Sequence, residues 1–243
     1  MADYSTQHSH LLIEKVYTSK CVSEDFVVVI DVLRAFTTAA YAFAAGAEKI
    51  LLVKEVEEAF ALKEENPDFL LIGEEKGLPC QGFDYGNSPI QFTERNVAGR
   101  TLVQRTSCGT KGVVGAIDSR IILVSSFVVA GGTLERIRCL LPNKVTFVMT
   151  GGSDGDEDLA LADYLGESLI QGGGDPTPYL RRVVNSPGGR SFVDKTNGNF
   201  PRKDLEAAVL LDFFPFSLEV FKEDIGIVLR PTQSDGATYV CHK

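Results

Sequence analysis

The run Phe26-Val27-Val28-Val29-Ile30-Asp31-Val32-Leu33-Arg34 sets a carboxylate and a guanidinium directly past the end of an unbroken apolar stretch. A run of β-branched residues reads as a strand buried on both faces, and the Ala-rich segment 39–45, stopped by Gly46, reads as the helix that comes next. In open α/β sheets ligands gather at the carboxyl ends of strands, and a helix start offers unpaired N–H groups to an anion. Asp31 and Arg34 are therefore candidates for a site that binds a charged substrate. A strand-end Asp that only caps the helix weighs equally at this point.

A second junction of the same kind runs from Thr101–Arg105 into Thr106-Ser107-Cys108-Gly109-Thr110-Lys111-Gly112. Thr106, Ser107, Gly109, Thr110 and Lys111 combine hydroxyls, a glycine and a cation, which suits a phosphate or sulfonate; an ordinary hydroxyl cap beside a surface lysine is the alternative. The G-x-x-x-x-G-K-[ST] loop is missing here, and a cysteine phosphatase loop would need an Arg soon after Cys108, where Val113 and Val114 stand. Cys108 reads as a spectator. A third junction, Gly151-Gly152-Ser153-Asp154-Gly155-Asp156-Glu157-Asp158, opens a helix with acidic residues. Asp154, Asp156 and Asp158 begin like a calcium loop, but Leu159 and Leu165 occupy the positions of its Gly and closing Glu. The helix dipole accounts for most of these carboxylates, leaving Glu157 and Asp158 as the inward-facing candidates. Between the third and fourth strand candidates, Gly73-Glu74 and Gly82-Phe83-Asp84-Tyr85-Gly86-Asn87-Ser88-Pro89 lie on a long excursion without an obvious element of its own. Asp84 and Asn87 there could bind a hydroxyl or the water of a cation.

Histidine narrows the chemistry, since the chain has three, His8, His10 and His242, all in expected tails. Triads, Cys–His dyads, zincin sites and phosphohistidine each need an imidazole from the body of the fold. This leaves work for carboxylates, hydroxyls, amides, Arg and Lys, with or without a hard divalent cation on oxygen ligands, for which Mg²⁺ is the natural choice. Cys21, Cys80, Cys108, Cys139 and Cys241 are widely spaced and odd in number, which fits free thiols better than disulfides or a zinc site. A net charge of −9 argues against a nucleic-acid surface but permits a local pocket for a small-molecule anion. Apolar runs are far shorter than a membrane span and Met1 to His10 is polar, so no membrane partner and a cytoplasmic location are expected.

The elements that must hold these residues are strands at Phe26–Asp31, Lys49–Lys54, Phe69–Gly73, Thr101–Arg105, Arg120–Ser125, Val145–Thr150 and Ile225–Leu229. Helical patterns fall between them at Arg34–Ala45, Val56–Glu65, Gly109–Ala116, Ala130–Leu140 and Glu157–Gln171, with two or three shorter ones between Pro176 and Phe221. The alternation implies a three-layer α/β/α fold with a largely parallel or mixed central sheet. No repeat or compositional break divides residues 1–243, so one domain is expected, with two lobes meeting near residue 130 as the alternative.

Taken together, Asp31-Val32-Leu33-Arg34-Ala35, Gly73-Glu74, Gly82-Phe83-Asp84-Tyr85-Gly86-Asn87-Ser88-Pro89, the Thr/Ser/Gly/Thr junction and Glu157-Asp158 resemble the 2-phosphosulfolactate phosphatase (ComB) family in order and spacing along most of the chain. The resemblance implies an α/β/α enzyme that hydrolyses the phosphate ester of 2-phospho-3-sulfolactate with Mg²⁺, a step that in some organisms leads to coenzyme M. It implies Asp31, Arg34, Glu74 and Asp84 in catalysis, Asn87, Thr106, Ser107, Gly109, Thr110 and Lys111 around the substrate, and Asp31, Glu157 and Asp158 near the metal. The chain departs from the family pattern at Cys108, where an amide side chain is usual, and in Ser125–Ala130, where Val128 or Val129 replaces an Asn. A phosphatase for another small acidic phosphoester, or a binding protein for a sulfonated or phosphorylated acid, are the alternatives; Asp31 is open as nucleophile or metal ligand. Acidic α/β enzymes of this size are often dimers, so a homodimer is a further expectation.

Overall fold

The computed structural model describes residues 11–18, 22–151, 156–194 and 198–233. The three histidines, Cys21, Cys241 and the segment 152–155 lie outside the described residues. Ten strands form one sheet: β1 (Leu12–Tyr17), β2 (Phe26–Ile30), β3 (Lys49–Val53), β4 (Leu70–Glu75), β5 (Leu78–Pro79), β6 (Thr101–Arg105), β7 (Ile121–Ser125), β8 (Lys144–Met149), β9 (Ser217–Glu223) and β10 (Gly226–Thr232). Helices α1 (Ala35–Ala44), α2 (Val56–Glu65), α3 (Gly109–Gly115), α4 (Ala130–Leu140), α5 (Asp156–Gln171), α6 (Thr177–Asn185), α7 (Pro187–Ser191) and α8 (Arg202–Ala208) cover it. No helix among the described residues is long and apolar enough to cross a membrane.

The strand order is β1-β8-β2-β7-β9-β10-β3-β6-β4-β5. Two parallel blocks, β1-β8-β2-β7 and β3-β6-β4, are joined through the antiparallel β9–β10 hairpin. Because β7–β9, β9–β10 and β10–β3 are all antiparallel pairs, β3, β4 and β6 run opposite to β2, β7 and β8. The sheet is thus mixed, and the chemistry-bearing strand ends fall into two neighbouring pairs, β2 with β8 and β4 with β6.

The period of two along the strands sorts the core into layers. Val27, Val29, Ile50, Leu52, Ile72, Leu102, Val124, Val148, Leu218 and Leu229 share one apolar cluster with α1, whose residues Ala35 to Phe43 are all buried. The alternate residues Val28, Ile30, Leu123, Val145, Phe147 and Met149 pack with α4 and α5, while Leu51, Val53, Leu71 and Val103 pack with α2. Small side chains on α1 let strands from both blocks close around it. Adjacent strands rotate by roughly 20–25°, so the steps from β2 to β6 accumulate on the order of 110°. That coiling brings strand ends together that a flat sheet would hold apart.

Three strands, β1, β5 and β9, escaped the sequence pattern. β1 mixes Glu14 and Lys15 with apolar residues because it is an edge strand, and β9 begins within a stretch read as trailing helices and runs past its end. The long excursion also carries structure: β4 continues through Glu75, turns into the short β5, and later forms a 3₁₀ turn at Pro89–Phe92. Val128 and Val129 are fully buried in the cluster around α1, which accounts for apolar residues there.

Candidate active site

Asp31 continues β2 by one residue and faces the α1 layer, as the alternation from Ile30 requires. Its Oδ1 accepts the Ala35 N–H at 2.9 Å, so it does cap α1. Its Oδ2 accepts the Thr150 hydroxyl at 3.1 Å. Thr150 occupies the same position past the end of neighbouring β8, and its hydroxyl also lies 3.3 Å from Asp158 Oδ2. Asp158, in the first turn of α5, accepts Val32 N–H at 2.9 Å, Thr150 N–H at 3.1 Å and Gly151 N–H at 2.8 Å. Both its oxygens are spent on backbone, which makes it a latch between β2, β8 and α5.

Burial pushes the Asp31 carboxyl up to about 6; bonds from Ala35 and Thr150 oppose that rise, and the charges of Glu74 and Glu157 add to it. Asp158 is raised for the same first reason, desolvation, and next by the charge of Asp31. Glu157 is buried and its Oε2 has no hydrogen-bond partner. A Cβ on Gly188 would stand 2.8 Å from Glu157 Oε1, so a glycine in α7 is what leaves this carboxylate its space. Among the described residues no group of three His, Cys, Asp or Glu side chains forms a ready metal cage. Mg²⁺, however, keeps several waters and uses one or two carboxylates together with phosphate oxygens. The oxygen donors Asp31 and Glu157, one with an orphaned buried atom, fit such an ion; Asp158 supports from behind.

Glu74 is an organiser. Its Oε1 accepts Ser107 N–H at 2.5 Å, and Oε2 accepts Gly77 N–H at 2.5 Å and the Ser107 hydroxyl at 3.1 Å. The β4–β5 turn and the hydroxyl loop are thereby tied to one carboxylate. Arg105 adds to this, donating to the Glu74 carbonyl at 2.7 Å and the Lys54 carbonyl at 3.3 Å. Thr106 and Thr110 bond each other: Thr110 N–H donates to Thr106 Oγ1 at 3.0 Å and Thr110 Oγ1 to the Thr106 carbonyl at 2.8 Å. These hydroxyls shape the loop. Gly109 passes so close to the strand end that a Cβ would lie 2.6 Å from Ala35 Cβ and 2.8 Å from Asp31 Oδ2. Desolvation, with the charges of Asp31, Glu74 and Asp158 adding to it, pushes the Cys108 thiol up to about 11. A thiol held protonated is a poor nucleophile, in line with the spectator role. Lys111 is exposed.

Arg34 turns to the other side of the strand end. Its Nη1 donates to Asp204 Oδ2 at 2.8 Å and to the Asn199 carbonyl at 3.0 Å, and its guanidinium lies 5.3 Å and 4.9 Å from the ring centres of Phe192 and Phe200. Ser88 donates to Asp204 Oδ1 at 2.7 Å, and the neighbouring Asn87 has a buried Oδ1 without a partner. Asp84 is placed elsewhere: its Oδ2 accepts Lys63 at 2.6 Å and Leu71 N–H at 2.8 Å, pinning the excursion to α2, and no contact joins it to Asp31.

Sequence reasoning missed Thr150, Asp204, Phe192 and Phe200. Thr150 carried a usable signal, because it ends a strand as Asp31 does. The other three are far along the chain from Arg34 in short helices and turns, and nothing local marks them.

Comparison with known proteins agrees with this outline. The family model described as 2-phosphosulpholactate phosphatase matches residues 12–183. A probable 2-phosphosulfolactate phosphatase of Bacillus subtilis is 37% identical over 184 residues, 74% of this chain and 80% of that protein. One from Carboxydothermus hydrogenoformans is 39% identical over 151 residues, 62% of this chain and 61% of its own length. One from Deinococcus radiodurans is 34% identical over 178 residues, 65% and 74% of the two chains.

Proposed function

The chain belongs to the 2-phosphosulpholactate phosphatase family, a family of phosphoric monoester hydrolases, and from that premise we propose that it hydrolyses 2-phospho-3-sulfolactate to sulfolactate and phosphate in an Mg²⁺-dependent reaction. The observation that carries the metal half is the buried Glu157 Oε2 without a partner, on a carboxylate whose charge reaches Asp31. Bound there, Mg²⁺ would supply Lewis-acid charge to a phosphoryl oxygen.

The chain's own residues account for the rest of the reaction. Arg34 binds an anionic group of the substrate through the part of its guanidinium that Asp204 does not use. Glu74 holds the Ser107 loop and the Gly77 turn against each other, so that the mouth of the site keeps its shape. Asp31 is fixed by Ala35 N–H and the Thr150 hydroxyl, and its carboxyl, raised to about 6 by burial in the metal-free protein, would be held ionised by a cation bound there. The buried surroundings of Val32, Ala35 and Thr150 limit other water at this carboxylate.

Phosphate release from 2-phosphosulfolactate with Mg²⁺ and with EDTA tests the proposal. Release that stops in EDTA and returns with Mg²⁺ is expected. Binding without turnover at saturating Mg²⁺ would overturn the enzymatic reading, and faster turnover of another phosphoester would reassign the substrate. Quenching with borohydride during turnover is expected to leave Asp31 intact; its reduction to homoserine would show a phosphoaspartate and a covalent route instead.

A further inference from the structure

We propose that Asp204 is a positioning residue for Arg34: it turns the guanidinium so that the Nε–Nη2 edge is offered to an anionic group of the substrate. This rests on the reading of Arg34 as a substrate-binding residue and extends it to a part of the chain beyond the family match, which ends at residue 183.

The geometry leaves the guanidinium little freedom. Both hydrogens of Nη1 have acceptors, Asp204 Oδ2 at 2.8 Å and the Asn199 carbonyl at 3.0 Å. The rings of Phe192 and Phe200 lie within 5.3 Å of it and pack edge to face against each other at 5.1 Å. Phe200 is seated in turn on Gly77, where any Cβ would meet its Cζ at 2.8 Å. Asp204 is itself completely buried, and its second oxygen is held by Ser88 at 2.7 Å, so the acceptor cannot swing away. The remainder of the fork is Nη2, with only the Gly77 carbonyl at 3.5 Å, and Nε, which has no acceptor among the described residues. Those two nitrogens form the side-on edge that binds a carboxylate or phosphate through parallel hydrogen bonds. The edge lies against the turn whose Gly77 N–H is held by Glu74, and Glu74 also holds Ser107 N–H, so the edge and the hydroxyl loop share one support.

A role in stability alone explains this arrangement poorly. A buried ion pair gains little over apolar side chains of equal volume, because desolvation offsets the attraction. Orientation is what the pair supplies and apolar residues cannot.

The test uses inorganic phosphate, titrated calorimetrically with Mg²⁺ present, against the wild type, Asp204→Asn, Ser88→Ala, Arg34→Lys and the double variant Arg34→Lys/Asp204→Asn, each with a thermal melt. Asp204→Asn is expected to weaken phosphate binding on the order of tenfold, and Ser88→Ala about threefold, since a loosened fork loses one of its parallel bonds. In the Arg34→Lys background, Asp204→Asn should cost less than about twofold, because there is no fork left to orient. With 2-phosphosulfolactate the loss is expected in KM, with kcat within about threefold. An undiminished loss in the Arg34→Lys background, unchanged phosphate binding in a folded Asp204→Asn, or no phosphate binding by the wild type would each overturn the proposal. Should Asp204→Asn not fold, Ser88→Ala decides: unchanged phosphate binding in that variant overturns it. The calorimetric arm does not depend on turnover, so a wild type that binds phosphate but leaves 2-phosphosulfolactate intact counts against the substrate and not against Asp204.

Discussion

Asp31 shows how burial sets a residue's chemistry. Its carboxyl is raised to about 6, first by desolvation, from an ordinary value near 3.8. The folded pKa lies above the unfolded one, so the contribution to stability is fully present below pH 4 and is lost as the pH rises through 6. A shift of that size corresponds to on the order of 3 kcal/mol. Asp31→Asn keeps an acceptor for Ala35 N–H but has no charge to bury. In EDTA at pH 7.5 the variant should therefore melt at a higher temperature than the wild type, and the two should converge near pH 4. Mg²⁺ should reverse the order above pH 6, because only the ionised carboxylate holds the metal. Melting curves from pH 4 to 8, with and without Mg²⁺, check both arms; a variant less stable than the wild type in EDTA at pH 7.5 would show that burial is not what governs this group.

At the scale of elements, α3 reaches Asp31 only because its first residue has no side chain. Gly109→Ala would put a methyl 2.8 Å from Asp31 Oδ2 and 2.6 Å from Ala35 Cβ, and either α3 or the carboxylate must shift. Activity is expected to fall by more than about tenfold, as displacement of a reacting group by a fraction of an ångström does. Gly115→Ala at the other end of α3 meets nothing within 4 Å and should leave activity unchanged while stabilising by about 0.5–1 kcal/mol. Equal losses in the two would mean that the helix, not its approach to Asp31, is what matters. The elements themselves were largely legible: the apolar runs at Phe26, Lys49, Thr101 and Val145 are strands, and Asp31 stands past a strand end as expected. Pairing across distance is the part that the pattern could not carry. Arg34 and Asp204 meet 170 positions apart, and the opposed direction of β6 depends on a hairpin that begins at Ser217. Local periodicity reports which face of an element is apolar; it does not report which strand comes next to which.

At the scale of the molecule, the β9–β10 hairpin decides whether there is a site at all. It lies beyond residue 183, where the family match ends, yet it stands between β7 and β3 and sets the opposed direction of the two blocks. Leu218 and Leu229 of the hairpin, with Phe216 just before it, belong to the apolar cluster around α1. Asp31 is carried by one block and the Gly109 loop by the other, so their approach depends on strands that touch neither. A chain ended after Ala208, the last residue of α8, keeps every candidate site residue, including Asp204, and loses the hairpin. It would expose the edges of β7 and β3 as open templates for pairing and uncover the apolar face of α1. Such a chain should lose cooperative unfolding, bind a hydrophobic dye and aggregate, while a chain ended after Gln233 should melt as the full chain does. Cooperative melting with retained phosphate release in the shorter chain would show that the two blocks find each other without the hairpin. The expected result is the opposite one, because the opposed strand directions leave coiling through β9 and β10 as the route by which the Gly109 loop reaches Asp31.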